Sequence, residues 1–345
     1  MAETLLKEAE PHLYGPVLGL PSLRKALAEN WSQHYGGRVD ETQVAITSGC
    51  NQAYAAVITA LCGEGDEVLL PTPWYFNHKM WLDMGGQRAV PLPTDVQLQP
   101  DPEAARALIT PRTRAIALVS PNNPAGVEYP SELIETFRDL ARTHGIKLII
   151  DETYRDFNSR DGAPHTLLRD PDWTDSVIQL YSFSKAYRLT GHRVGAIIAD
   201  PILLGEAEKF LDSVTICPNG LGQRAALWGL QNLDAWLSGA RQEILARRAA
   251  IEAGFPKLAA AGRQLKGAGA YFAYMQHPFD MPSNLLAQKL VEKAQILLLP
   301  GTMFRPEEDA TGQREVRVAF ANIDASGITE LYGRLSALAA ADLHA

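Results

Sequence analysis

Along the first part of the chain, short apolar runs rich in β-branched residues alternate with longer stretches whose apolar positions recur at the helical period. The short runs cover 44–47, 67–70, 115–120, 147–150, 177–183 and 195–199 and predict strands, while stretches such as 51–62 and 131–143 predict helices. Strand and helix in alternation build a mostly parallel sheet covered by helices. Pro71, Pro73, Pro121 and Pro124 stand just past strand ends, where the chain must turn. Beyond Pro218 the texture changes. One proline-free helical pattern runs from 222 to about 253, followed by strand-like runs at 270–275, 296–299 and 316–320 and a closing helix from Ser326. A polar helical stretch, 3–10, opens the chain. The expected fold class is α/β, with a terminal segment at 1–14, a large domain at 15–235 and a smaller α+β domain at 236–345. The long helix is the expected hinge.

A chain of 345 residues, 46% hydrophobic and 21% charged, can bury the cores of two such domains. A net charge of −8 argues against nucleic acid or an anionic membrane as partner, yet permits a small anion held by local groups. Cys50, Cys62 and Cys217 are widely spaced, without a CxxC pair or an adjacent histidine, so no metal site is expected and the thiols read as reduced. With no charged-then-apolar leader and no apolar run of bilayer length, the expected location is the cytoplasm.

Ligands of open α/β sheets bind beyond the carboxyl ends of the strands. Those ends read Thr47-Ser48-Gly49-Cys50, Pro71-Thr72-Pro73-Trp74-Tyr75, Ser120-Pro121-Asn122-Asn123-Pro124, Asp151-Glu152-Thr153-Tyr154 and Ser182-Phe183-Ser184-Lys185. A lysine tucked at a strand end is desolvated, which lowers its pKa and makes it a nucleophile toward an aldehyde. Serine hydroxyls and Arg193 nearby suit a phosphate dianion, as do the backbone N–H groups at the helix start after Ser48-Gly49. Arg317, flanked by apolar residues in a strand, either snorkels to solvent or is paired. Each position alone has a plainer account: a solvated lysine, an Asn-Pro turn at Asn123, core aromatics at Tyr75 and Tyr154, an ordinary cap at Ser48-Gly49. Their coincidence carries the case.

The run from Ser182 to Gly195, SFSKAYRLTGHRVG, resembles the lysine signature of the class I/II aminotransferases, the aspartate aminotransferase family of fold-type I enzymes dependent on pyridoxal 5′-phosphate (PLP). Tyr14 with GLPSLR at 19–24, Ser48-Gly49, Pro73 with Tyr75, Asn123-Pro124-Ala125-Gly126, Asp151-Glu152 with Tyr154, and Arg317 follow in the family's order, from about residue 12 to about 338. The resemblance implies PLP held as a Schiff base on Lys185, which also shuttles the substrate proton. It implies Asp151 on the pyridine nitrogen, Asn123 and Tyr154 on the phenolic oxygen, and Tyr75 stacked on the ring. Ser48, Gly49, Cys50, Ser182 and Arg193 would surround the phosphate, and Arg317 with Asn123 would grip the substrate carboxylate. Tyr14 would reach the cofactor of a second subunit, making the enzyme a homodimer that moves an amino group between an L-amino acid and a 2-oxo acid.

Three departures limit the transfer. Only thirteen residues precede Tyr14, fewer than in the family, so 1–14 reads as a truncated arm. Arg188 and Arg305 stand where small residues are usual, and Asn51 stands where relatives acting on acidic substrates carry lysine. The last point favours neutral or aromatic donors packed on Tyr75, Trp74 and Phe304, unless Arg188 or Arg305 supplies a cation. A β-elimination lyase or an amino acid oxidase would use the same lysine, aspartate and arginine, and an aminotransferase-like regulatory domain stands further off. A nicotinamide dehydrogenase is excluded, because no GxGxxG follows a strand.

Overall fold

The computed structural model describes residues 7–338, so half of the predicted opening helix, 3–6, lies outside the described residues. Seven strands form the large sheet: β1 (Val44–Thr47), β2 (Glu67–Pro71), β3 (Arg88–Leu92), β4 (Thr113–Val119), β5 (Lys147–Asp151), β6 (Val177–Ser182) and β7 (Gly195–Ile198). Their order is β1-β7-β6-β5-β4-β2-β3, with β7 antiparallel to both its neighbours and the rest parallel. Helices cover both faces, which is why the central strands are apolar throughout rather than alternating. Alternate residues of β5 face opposite layers. Leu148 and Ile150 meet Trp31 and Tyr35 of helix Pro21–Tyr35, whereas Ile149 shares a core with Tyr54 of helix Cys50–Leu61.

The smaller body is a four-stranded antiparallel sheet, built from β8 (Gln264–Gly269), β9 (Phe272–Gln276), β10 (Leu299–Pro300) and β11 (Glu315–Ala319) in the order β10-β11-β9-β8. Helices Asp234–Gly254, Ser283–Ala294 and Ala325–Ala337 close its core around Ile251, Met275, Leu290, Phe320 and Tyr332.

The expected class holds, with local corrections. The single helix expected over 222–253 is two helices, Gly220–Asn232 and Asp234–Gly254, broken at Leu233 (φ −112°, ψ 18°). β3 and β8 were not expected. Both are sheet edges, β3 carrying Pro91 and β8 three glycine or alanine positions, so neither shows a core strand's texture. In 296–299 the alternation is real, with Ile296 and Leu298 buried and Leu297 exposed, but only Leu299–Pro300 pairs with β11.

The two bodies touch main chain to main chain. A Cβ at Gly269 would stand 2.1 Å from the Gly126 carbonyl oxygen, and one at Gly267 would stand 2.6 Å from that of Ala125. The turn holding Asn123 therefore rests directly on the β8–β9 hairpin.

Candidate active site

A cavity of about 500 Å³ lies at the carboxyl ends of β4, β5 and β6, facing β9 and β11 of the smaller sheet. Lys185, Asp151, Cys50, Tyr75, Asn123, Tyr154, Ser182, Arg193 and Arg317 all line it.

Lys185 rides on the short helix Phe183–Ala186, whose N-cap is Ser182: the Ser182 hydroxyl accepts from the Ser184 N–H at 3.2 Å. Burial lowers the Lys185 amine from its usual value, and the charges of Arg193 and Arg317 lower it further. Arg193 donates to Ser184 Oγ (3.3 Å) and to the Thr190 carbonyl (3.0 Å). Its guanidinium packs on Gly49 so closely that a Cβ there would sit 2.1 Å from Nη2, and Gly49 holds φ +91°.

Asp151 is buried. Its Oδ1 accepts from the Thr153 N–H at 3.0 Å, and its Oδ2 lies 3.3 Å from Nε2 of His78, whose ring stacks on Tyr54 at 3.8 Å. Burial alone would raise this carboxyl, but His78 and Thr153 outweigh it and hold Asp151 below the usual carboxylate range. Burial, reinforced by Asp151, pushes the Cys50 thiol well up, so that it lines the wall as a neutral group.

On the other wall Arg317 donates through Nη1 to Asn123 Oδ1 at 2.8 Å, and its guanidinium lies over Phe272 (4.5 Å) and Phe304 (5.3 Å). Its Nε is buried without a partner, and among the described residues no carboxylate lies within ion-pair distance of it. Tyr154 is buried against Phe272 and Tyr271, and Tyr75 donates to Asn51 Oδ1 at 3.2 Å.

Ser48 does not reach the wall, its N–H being taken by Gln52 Oε1 at 2.6 Å, and Gly49 borders the cavity only through Arg193. Tyr14 lies away from this cavity and is 80% exposed. Trp74 and Phe304 are buried behind the wall, and the aromatic lining is Tyr75, Phe76, Tyr154, Tyr271 and Phe272. Arg305 turns away from the cavity, in a two-pronged pair with Glu315 (2.5 and 3.0 Å) and a contact with Asp309 at 3.0 Å. Arg188 is exposed and near Glu243. His78, Tyr271 and Asn322 went unnoticed in the sequence, and Thr153 stood there only within the strand-end run Asp151-Glu152-Thr153-Tyr154, without a role. The one trace of His78 was its place a single helical turn after Tyr75.

A desolvated amine, a buried ionised carboxylate, a serine-arginine cluster on a glycine and an unpartnered buried guanidinium nitrogen match the aldehyde, ring nitrogen, phosphate and substrate carboxylate of PLP chemistry. The residues fit the cofactor, and with the sheet order they define a fold-type I PLP-dependent enzyme. The chain belongs to the aminotransferase class I and II family, whose profile matches residues 2–335. It is 31% identical over 301 residues to an arginine–pyruvate transaminase of Pseudomonas aeruginosa, covering 85% of this chain and 75% of that one. It is 29% identical over 298 residues to a probable aspartate/prephenate aminotransferase of Thermus aquaticus, covering 84% and 76%. An aromatic aminotransferase from Pyrococcus horikoshii superposes with a TM-score of 0.87 at 26% identity, over 97% of this chain and 89% of the other. The protein is a PLP-dependent aminotransferase.

Proposed function

We propose that this aminotransferase takes the amino group from neutral or aromatic L-amino acids, with Arg317 as the carboxylate grip and Lys185 as the proton carrier. The observation that carries the reading is Arg317: a half-buried guanidinium with an idle Nε, held by Asn123 in the same cavity as Lys185. Guanidinium binds carboxylate through two parallel N–H donors, and Arg317 has them to give.

PLP, when bound, supplies the electron sink that makes a substrate Cα–H acidic. The chain's residues do the rest. The lowered amine of Lys185 would hold the cofactor at its aldehyde carbon, and its Nζ would carry the substrate's Cα proton. Asp151, held ionised, would keep the pyridine nitrogen protonated. Arg193, Ser184, Ser182 and the Gly49–Cys50 turn would hold the phosphate, Asn123 and Tyr154 would donate to the phenolic oxygen, and Tyr75 would pack on the ring. Asn51 is already engaged by Tyr75 and brings no charge, so that wall offers an acidic side chain no cation.

Tyr14 and Leu13, with Val214 and Ile216, are apolar or aromatic side chains left exposed, which supports a homodimer in which Tyr14 serves the second subunit's site. The three unpaired cysteines agree with a cytoplasmic setting, and no helix among the described residues is long and apolar enough to cross a membrane.

An amino acid panel tests the reaction. Each donor alone should bleach the absorbance of the bound PLP once per site, and a 2-oxo acid should restore it. Continuous turnover without an acceptor would sink transamination in favour of elimination or oxidation. Phenylalanine should exceed aspartate at least a few-fold in kcat/KM, about 1 kcal/mol. For the dimer, mixing Lys185→Ala chains with Tyr14→Phe chains should restore partial activity, and a fully active monomer by sedimentation would refute it.

A further inference from the structure

A second cavity, of about 260 Å³, adjoins the first, and Lys185, Tyr271, Ala321 and Asn322 line both. Arg188, Trp236, Glu243 and Arg247 line only the second. Its charge is unbalanced. Arg247 is tied down, donating to the Ala321 carbonyl and pairing with Glu243. Arg188 is not. Its guanidinium lies 5.3 Å above the Trp236 ring, and Glu243, its one ion-pair partner among the described residues, is 3.9 Å away, outside hydrogen-bond reach. No hydrogen bond from the Arg188 side chain exists among the described residues, so two guanidinium groups face one carboxylate and the donors of one of them are idle. The backbone at Arg188 is left-handed (φ +54°), a conformation that a long side chain adopts only at a cost. A glycine would sit there without strain, yet the chain places an arginine beside the reactive lysine.

We propose that this annex is a side-chain subsite for the acceptor, in which Arg188 binds the distal carboxylate of a dicarboxylic 2-oxo acid whose first carboxylate is held by Arg317. The inference rests on the aminotransferase reading above. Trp236 lies beneath the guanidinium, a cation–π contact that favours this placement of its N–H groups over the annex. Asn322, exposed on the shared wall, adds an amide donor along the way. The two half-reactions then share one carboxylate grip but use different side-chain space: the donor packs on Tyr75, Phe76 and Phe272, and the acceptor's charge goes to the annex. Glu243 opposes this binding and limits its strength.

The test uses the PLP-loaded enzyme, with phenylalanine as donor and either 2-oxoglutarate or pyruvate as acceptor. Arg188→Ala should lower kcat/KM for 2-oxoglutarate roughly three- to fivefold, the modest scale of an exposed ion pair, and leave that for pyruvate essentially unchanged. Arg188→Gly, which also relieves the left-handed backbone, should give the same selective loss, and Glu243→Gln should raise the 2-oxoglutarate value. Calorimetric titration with glutarate, which cannot react, should show the same weakening in Arg188→Ala, with butyrate unaffected. Equal losses for both acceptors, or no loss for either, would overturn the subsite while leaving the aminotransferase reading intact. If the unaltered enzyme transfers an amino group to neither acceptor, the underlying reading has failed, and the subsite fails with it.

Discussion

Replacing Gly49 with alanine puts the phosphate side of the site to a quantitative test. Gly49 holds φ +91° and ψ 166°, a region open almost only to glycine, so a side chain there costs about 1–3 kcal/mol of backbone strain before any contact is counted. The new methyl would also lie 2.1 Å from Arg193 Nη2 and 2.8 Å from its Cζ, well inside contact distance. Arg193 can yield, since its side chain is exposed, but only by leaving Ser184 and the place we propose for the phosphate. A hydrogen bond to a charged group contributes about 1.5–3 kcal/mol, so displacing this guanidinium should weaken PLP roughly ten- to hundredfold. Two assays separate the effects: urea melts of the cofactor-free protein read the strain, and titration of that protein with PLP, followed by absorbance, reads the phosphate. In an Arg193→Ala background the collision is gone, so Gly49→Ala should still cost stability but add little to the PLP dissociation constant. An undiminished effect on PLP in that background would refute the reasoning, because the loss would not run through Arg193.

Three further outcomes are expected. Lys185→Ala should lose turnover by several orders of magnitude, and borohydride reduction with peptide mapping should label Lys185 in the parent and no lysine in the variant. Arg305→Ala should cost about 3–5 kcal/mol in urea melts, because it strands buried Glu315, yet leave the phenylalanine-to-aspartate preference unchanged; a shifted preference would return Arg305 to the site. Burial opposes ionisation of Glu152, but His165 and Tyr35 outweigh it and hold its carboxyl below the usual carboxylate range. A carboxyl lowered on folding contributes stability that is complete above its unfolded value and lost as pH falls through its folded one. Glu152→Gln should therefore flatten the acid limb of the stability profile below about pH 4.5, measured by denaturant melts at stepped pH.

The neighbours Asp151 and Glu152 show how far the sequence could be read. A buried strand ending in an acid marked Asp151 for chemistry, and strand alternation sends Glu152 to the other side of the sheet. There its carboxylate accepts from Tyr35 Oη (2.6 Å) and Gln179 Nε2 (2.5 Å), with His165 at 3.4 Å. None of those partners is near in sequence, so no spacing could announce the cluster. His78 escaped for the same reason: a helix brings it to Asp151 across 72 intervening positions, and its place one turn after Tyr75 was the only local sign. Arg305 carries the opposite lesson. Its position after Phe304 looked like a charge near the site, but only the fold reveals that Glu315, the first residue of β11 and two before Arg317, absorbs it. The core strands were legible because both their faces are buried. β3 and β8 were not, because an edge strand needs neither apolar texture nor a full ladder.

The glycine seam between the two bodies acts as a gauge block. Gly126 against Gly269, and Ala125 against Gly267, meet with no side chain between them, so the gap there is set by main-chain thickness alone. Apolar cores drift in size as residues are exchanged, and bodies that rest on side chains shift with them. Here both cores can be repacked while the turn carrying Asn123 keeps its distance from the strand carrying Arg317. The span between cofactor cavity and carboxylate grip thereby becomes a fixed dimension of the molecule. Side-chain specificity can change around it without recalibrating the one measurement that every substrate must satisfy.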